Sequence, residues 1–170
     1  SGQGGKSGGS VTIPANTHVH PNWVFSAPGD YALTVKMSTT SKSGQPMATT
    51  STLRFKVGSG GQGATSGHFD FGPKIEGGKL VASLKDDRKS PAQWVDPASQ
   101  TFIVGNAAKA TAPAGIDFVA SQGSPVWMIA SAQVAGVPWL GANTMHESLL
   151  AGSTGEVRFS LVSASGPGKV

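Results

Sequence analysis

Apolar and polar positions alternate with a period of two over long stretches of this chain, the spacing of a strand that buries one face. Tyr31, Leu33, Val35 and Met37 fall on one side of such a stretch, with Thr34 and Lys36 on the other. Met47–Val57 repeats the pattern as a return strand, with Leu53, Phe55 and Val57 inward and Arg54 and Lys56 outward. Between them, Ser41–Pro46 (SKSGQP) has the composition of a hairpin loop. Further strands are expected at Val11–Pro14, His68–Phe71, Lys79–Leu84, Thr101–Val104, Ile116–Val119, Val126–Ala130 and Glu156–Val162. Trp94–Pro97 reads as a loop anchored by its tryptophan, and only Thr144–Ala151 looks helical. Short strands separated by turn signals predict an all-β, Ig-like antiparallel β-sandwich with one short helix. Its expected core is Tyr31, Leu33, Val35, Leu53, Phe55, Leu80, Leu84, Val126, Phe159 and Leu161.

Composition supports the same class. With 24 Gly, 11 Pro and only 13 % charged residues in 170, the chain is rich in turn formers and poor in helix formers. That length suits one domain with a proper core or two very small ones. The expected organisation is a flexible segment over 1–10, one half of the sandwich over 11–58 and a Gly/Ser-rich linker over 59–66. Residues 67–170 then form the other half of the same sandwich. Gly58–Gly67 (GSGGQGATSG) shows no apolar side chain able to anchor it.

The net charge of +4 reflects scarce acids, and the lysines are scattered singly. A nucleic-acid surface concentrates Lys and Arg on one face, so no nucleic-acid partner is expected. The absence of cysteine excludes disulfides and thiolate chemistry. No run approaches the ~20 apolar residues of a membrane-spanning helix. Nothing in Ser1–Ser10 reads as a signal peptide, and this stretch is expected to be a trimmed end or a flexible linker.

Candidate chemistry centres on Thr17–Tyr31, THVHPNWVFSAPGDY. In an extended strand residues i and i+2 share a face, so His18 and His20 project side by side. Pro21 cannot donate to a ladder, which puts this strand at an edge or interrupts it there. Two neighbouring imidazoles are half of a metal site, or a polar face beside a core tryptophan. His68 and Asp70 likewise share a face, opposite Phe69 and Phe71. A zinc-type site built by His18, His20 and His68, with His146 or Asp70 as fourth ligand, uses the commonest donors for that ion. Glu147 is a further oxygen near His146, and copper or manganese are alternative ions. Against this stands a metal-free reading, in which the histidines hydrogen-bond neighbouring groups and tie loops together.

Other chemistries find less support. There is no G-x-S-x-G, P-loop or H-E-x-x-H, so no enzyme is expected. Asp86 and Asp87 read as a solvated turn, without the further acids a calcium loop needs. Four tryptophans raise carbohydrate binding as an alternative. Of these, Trp23 and Trp127 sit in apolar strand contexts expected to be core, and Trp139 is the one to inspect for exposure.

The block His18-x-His20-x-Asn22-Trp23-x-Phe25, followed by Pro28-Gly29-x-Tyr31, resembles the signature of actinobacterial surface-anchored repeat domains. These form the choice-of-anchor M and ABC-transporter-associated repeat family. Gly67-His68-x-Asp70-x-Gly72-Pro73, Lys85-Asp86-Asp87, Val126-Trp127, Pro138-Trp139-x-Gly141-x-Asn143-Thr144 and Gly166-Pro167-Gly168 resemble the companion half of that unit. In the family the G-H-x-D half comes first; here it comes second. The chain is thus expected to be a circular permutant, since sandwich termini often lie close enough to bridge, or else to span the end of one repeat and the start of the next. The resemblance implies an extracellular, cell-surface or cell-wall module of a metal-acquisition system. Its implied partners are a metal ion and the substrate-binding protein of an ABC transporter. The structural alternative is a passive or adhesive wall spacer.

Overall fold

The structure is a computed structural model that describes residues 9–170. The first eight residues of the segment expected to be flexible lie outside it, while Ser10 opens the first strand. Thirteen strands follow in order: β1 (Ser10–Ile13), β2 (His18–Val19), β3 (Trp23–Phe25), β4 (Gly29–Thr40), β5 (Pro46–Val57), β6 (His68–Glu76), β7 (Lys79–Asp86), β8 (Gln93–Val95), β9 (Thr101–Val104), β10 (Lys109–Thr111), β11 (Pro125–Ile129), β12 (Trp139–Asn143) and β13 (Val157–Ser165). One short helix, α1 (Glu147–Gly152), lies between the last two.

The strands form an all-β sandwich. One five-stranded sheet runs β1-β13-β4-β5-β9 and the other β2-β12-β6-β7-β8, with a small third sheet β10-β11-β3. Each sheet mixes strands from before and after the glycine-rich segment. The period-two alternation of β4 explains its placement: Tyr31, Leu33, Val35 and Met37 are all buried. The β4–β5 hairpin pairs in unbroken register from Gly29↔Val57 to Thr40↔Pro46, so Leu33 lies opposite Leu53 and Tyr31 opposite Phe55. Most pairings are antiparallel; β5 with β9 and β12 with β6 are parallel.

Aromatic rings bridge the layers. Phe102 of β9 sits 5.5 Å from Phe55 of β5 and 5.2 Å, edge-on, from Phe69 of β6. All three are buried, and each such contact adds about 0.5–1.5 kcal/mol to the burial itself. Of the expected core, Leu161 alone is only partly buried, at the end of a regular stretch of β13 whose register shifts between Leu161 and Ser163.

Three local expectations differ from the structure. Ile116–Val119 is a turn, closed by Val119 N–H donating to Ile116 O at 2.8 Å, because Pro113 and Gly115 just before it break the ladder. Gly58–Gly67 is pinned: Ala64 is buried, its N–H donates to Thr101 O and its carbonyl accepts from Ile103 N–H, each at 2.8 Å. A single small apolar residue is anchor enough because Gly63, at φ +150°, lets the backbone press against Thr101. Trp94 belongs to the short edge strand β8 rather than to a loop.

The two ends of the resemblance motif meet. Tyr31 Oη donates to Ala27 O at 2.8 Å, and Gly168 packs beside the same ring. Ser26 and Lys169 exchange hydrogen bonds at 2.9 and 2.7 Å.

Candidate metal centre

The centre lies on the outer face of the β2-β12-β6-β7-β8 sheet. Alternation puts Phe69 and Phe71 of β6 into the core and His68 and Asp70 on the opposite face. The same alternation turns Leu140 of β12 inward and leaves Trp139, Gly141 and Asn143 outward. Register then does the assembly: β12 runs between β2 and β6, pairing Asn143 with His18 on one side, and Trp139 with His68 and Gly141 with Asp70 on the other. The side chains of the two flanking strands reach across Gly141, where there is no side chain to stand in the way. A Cβ at 141 would lie 2.7 Å from both Asp70 Oδ1 and His20 Nε2.

Four donor atoms converge there. Asp70 Oδ1 lies 2.7 Å from His18 Nε2, 3.4 Å from His20 Nε2 and 3.2 Å from His68 Nε2. The three Nε2 atoms lie 2.8, 3.0 and 3.3 Å from one another. A tetrahedral ion with ~2.0 Å bonds requires ligand–ligand edges of about 3.3 Å. The six observed edges, 2.7 to 3.4 Å, outline a slightly contracted tetrahedron. His18, His20, His68 and Asp70 therefore form a group that could hold a metal ion.

Surrounding contacts orient these donors. His68 Nδ1–H donates to Asp87 Oδ2 at 2.6 Å, which places the ring's lone pair on Nε2, facing the centre. Lys85 Nζ, 3.3 Å from Asp87 Oδ1, holds that carboxylate in turn. Asn143 Nδ2 donates to Asp70 Oδ2 at 3.1 Å and leaves Oδ1 for the centre. His20 is fixed differently: its ring stacks on Trp139 at 3.8 Å, and its buried Nδ1 has no hydrogen-bond partner among the described residues. Trp139 is itself tied by Nε1–H donating to Ser131 O at 3.2 Å. With neutral imidazoles His20 Nε2–H can donate to His68 Nε2 and His18 Nε2–H to Asp70 Oδ1, but the 2.8 Å contact between His18 and His20 then sets two donors face to face. A cation accepting the lone pairs of all three Nε2 atoms satisfies them together.

Burial dominates the electrostatics of His20. It lowers the imidazole pKa from 6.5 to about 4, against the opposing pull of Asp70 and with smaller help from His18 and His68. His20 is therefore neutral, and a competent ligand, well below pH 6. Asp70 is 1 % exposed, His68 22 % and His18 34 %, so the group has a sealed floor and is most open at His18.

The other sequence candidates fall elsewhere. His146 is outside the group: it caps α1, its Nδ1 accepting from Ser148 N–H at 3.1 Å, and its ring meets Trp94 edge-on at 4.8 Å. Burial, and then Lys74, lower its pKa. Asp86 and Asp87 are not a solvated turn. Asp86 is buried and accepts from Arg88 Nε and Nη2 at 2.9 and 2.7 Å, which holds its carboxyl below the usual range, while Asp87 orients His68. None of the four tryptophans is exposed; Trp23, for one, is half-buried and donates from Nε1 to Leu140 O at 2.9 Å.

Sequence reasoning assigned no role to Asp87, Asn143 or Gly141. The available signal was register: in the β6–β7 hairpin Asp70 lies opposite Lys85, so Lys85 and Asp87 fall on the face of His68 and Asp70. Comparison of the chain with protein-family models, with curated proteins and with solved structures finds no match in any of the three.

Proposed function

We propose that this chain is a non-catalytic, extracellular metal-binding module of a cell-surface metal-acquisition system, taking a zinc-type ion through His18, His20, His68 and Asp70. The observation that carries the metal-binding part is the near-tetrahedral convergence of three Nε2 atoms and one carboxylate oxygen at 2.7–3.4 Å. Four protein donors fill a tetrahedral ion's coordination, which favours capture over catalysis, since a catalytic zinc keeps an open position. Nitrogen-rich, thiol-free donors suit zinc, and copper competes by the general affinity order. The exposed corner at His18 is the route by which an ion is taken up and passed on. The surface location, the cell wall and a transporter's binding protein as recipient rest on the motif resemblance of His18-x-His20-x-Asn22-Trp23 and its companion segments.

The test is titration of chelator-treated protein with Zn²⁺ by calorimetry, and with Co²⁺ by visible absorption. One ion per chain at pH 7.5, with the intense bands of tetrahedral Co²⁺, is the expected result. Heat and colour should weaken at pH 5.5, because imidazole ligands bind metal only when deprotonated. A protein that takes up neither ion at pH 7.5 would be a wall spacer whose histidines only join strands.

A further inference from the structure

A second feature lies on the other side of the strands that carry the histidines. Between the two large sheets is a cavity of about 480 Å³, within the size range of small-molecule sites. Ile13, Leu33 and Phe71, from both sheets, form its buried floor. Val11, Val19 and Phe118 stand at its mouth, 58, 39 and 39 % exposed. These are three of the six large hydrophobic residues exposed among the described residues, gathered around one opening. Among the described residues no Lys, Arg, His, Asp or Glu lines the cavity; Ser10, Thr12 and Asn22 supply its polar side chains. Its size and its opening to solvent set it apart from the water-sized voids that close-packed interiors leave. Water finds few partners there, because each molecule needs two to four polar contacts and only Ser10, Thr12 and Asn22 offer side chains for them.

We propose that this cavity is a binding site for a neutral, slender apolar ligand of the alkyl or acyl-chain class. The floor lies between two sheets, out of reach of the broad face of a folded partner but open to a single chain. Among the described residues no cation stands at the mouth, which disfavours a carboxylate or phosphate held close to the opening. Two sources share this chemistry: a free neutral alkyl compound, and an acyl chain drawn from a bilayer. The inference does not rest on the metal reading, for the cavity uses Val19 and Ala142 where the metal centre uses His18 and His20, and the two share only Gly141.

The experiment uses metal-free protein and two probes. One arm titrates 1-dodecanol, with dodecanoate as its charged counterpart, by calorimetry. The other measures sedimentation with phosphatidylcholine vesicles. Saturable one-to-one binding of dodecanol, at least tenfold tighter than dodecanoate, supports the site and a free ligand as its source. Co-sedimentation with vesicles, lost in the variants below, supports the site with a bilayer as its source. Ala142→Leu fills the cavity from β12, and Val11→Asp places a charge at the exposed mouth. Each should weaken binding at least tenfold while circular dichroism still reports a folded sandwich, and Val11→Asp serves alone if Ala142→Leu does not fold. Failure of the wild-type protein to bind in either arm overturns the proposal, as does binding that the folded variants leave unchanged. Concentration-dependent dimerisation that Val11→Asp abolishes, without dodecanol binding, would reassign the mouth to an interface between copies and likewise overturn it.

Discussion

His18 Nε2 and Asp70 Oδ1 lie 2.7 Å apart although 52 positions separate them in the chain. They belong to strands that never pair with each other, and β12 between them sets their spacing. Neighbouring strands are about 4.8 Å apart, so the two backbones are roughly 10 Å apart and their side chains meet over the middle strand. The centre is thus a property of three strands in one register.

Metal should stabilise the fold if the four donors bind it. An ion present at about 100 times its dissociation constant adds about 2.7 kcal/mol, or roughly 5–10 °C in Tm for a chain of this size. Differential scanning fluorimetry with and without Zn²⁺ at pH 7.5 measures this. The His18→Ala/His20→Ala double variant should remain folded and show no shift.

Gly141→Ala is expected to damage the centre more than the fold. The added methyl lands on Asp70 Oδ1 and His20 Nε2, the far ends of side chains, rather than on backbone. Those side chains yield, and the tetrahedron opens. Zinc affinity should fall by at least tenfold with only a small change in metal-free Tm. Gly72→Ala makes the contrast, because its Cβ would strike the backbone carbonyl of Asn143 and separate β6 from β12. That variant should lose folded protein altogether.

Asp87 touches no ion in this scheme, yet it holds His68 at 2.6 Å. Removing such an orienting carboxylate typically weakens metal binding 10- to 100-fold. Asp87→Ala should do so in the zinc titration, with the stoichiometry still one ion per chain.

His146→Ala should leave zinc binding unchanged. Its cost falls on α1, where loss of an N-cap acceptor is expected to remove about 0.5–2 kcal/mol of stability. Urea unfolding measures the second effect and the zinc titration the first.

The pH dependence of the metal-free protein follows from His20. Its folded pKa, about 4, lies below the 6.5 of the exposed side chain. Between those values the unfolded chain takes up a proton that the folded chain refuses, so acid favours unfolding. The stability contributed by keeping His20 neutral is complete above about pH 6.5 and is lost as the pH falls toward 4. Urea midpoints in chelator at pH 7.5 and 5.0 should therefore fall toward the acid side. His20→Phe, which keeps the stack on Trp139, should flatten that dependence.

The sequence alone determined what period-two alternation can carry. It set the buried face of β4 and β5, and it placed His18 beside His20 and His68 beside Asp70, because successive strand residues must point to opposite faces. It also made His146 and Asp70 equal candidates for the fourth ligand, since local spacing does not say which distant residue comes close. Tertiary structure made that choice. β12 (Trp139–Asn143, WLGAN) lacks the β-branched residues and alternation that mark a strand, and its identity comes only from the partners on either side. Once it pairs with both β2 and β6, Gly141 clears the space where the donors meet, Asn143 turns Asp70, and Asp87, just past the end of β7, fixes His68. Alternation is a local steric property written in neighbouring residues, whereas strand order and register depend on the packing of the whole sandwich, and the centre exists only at that level.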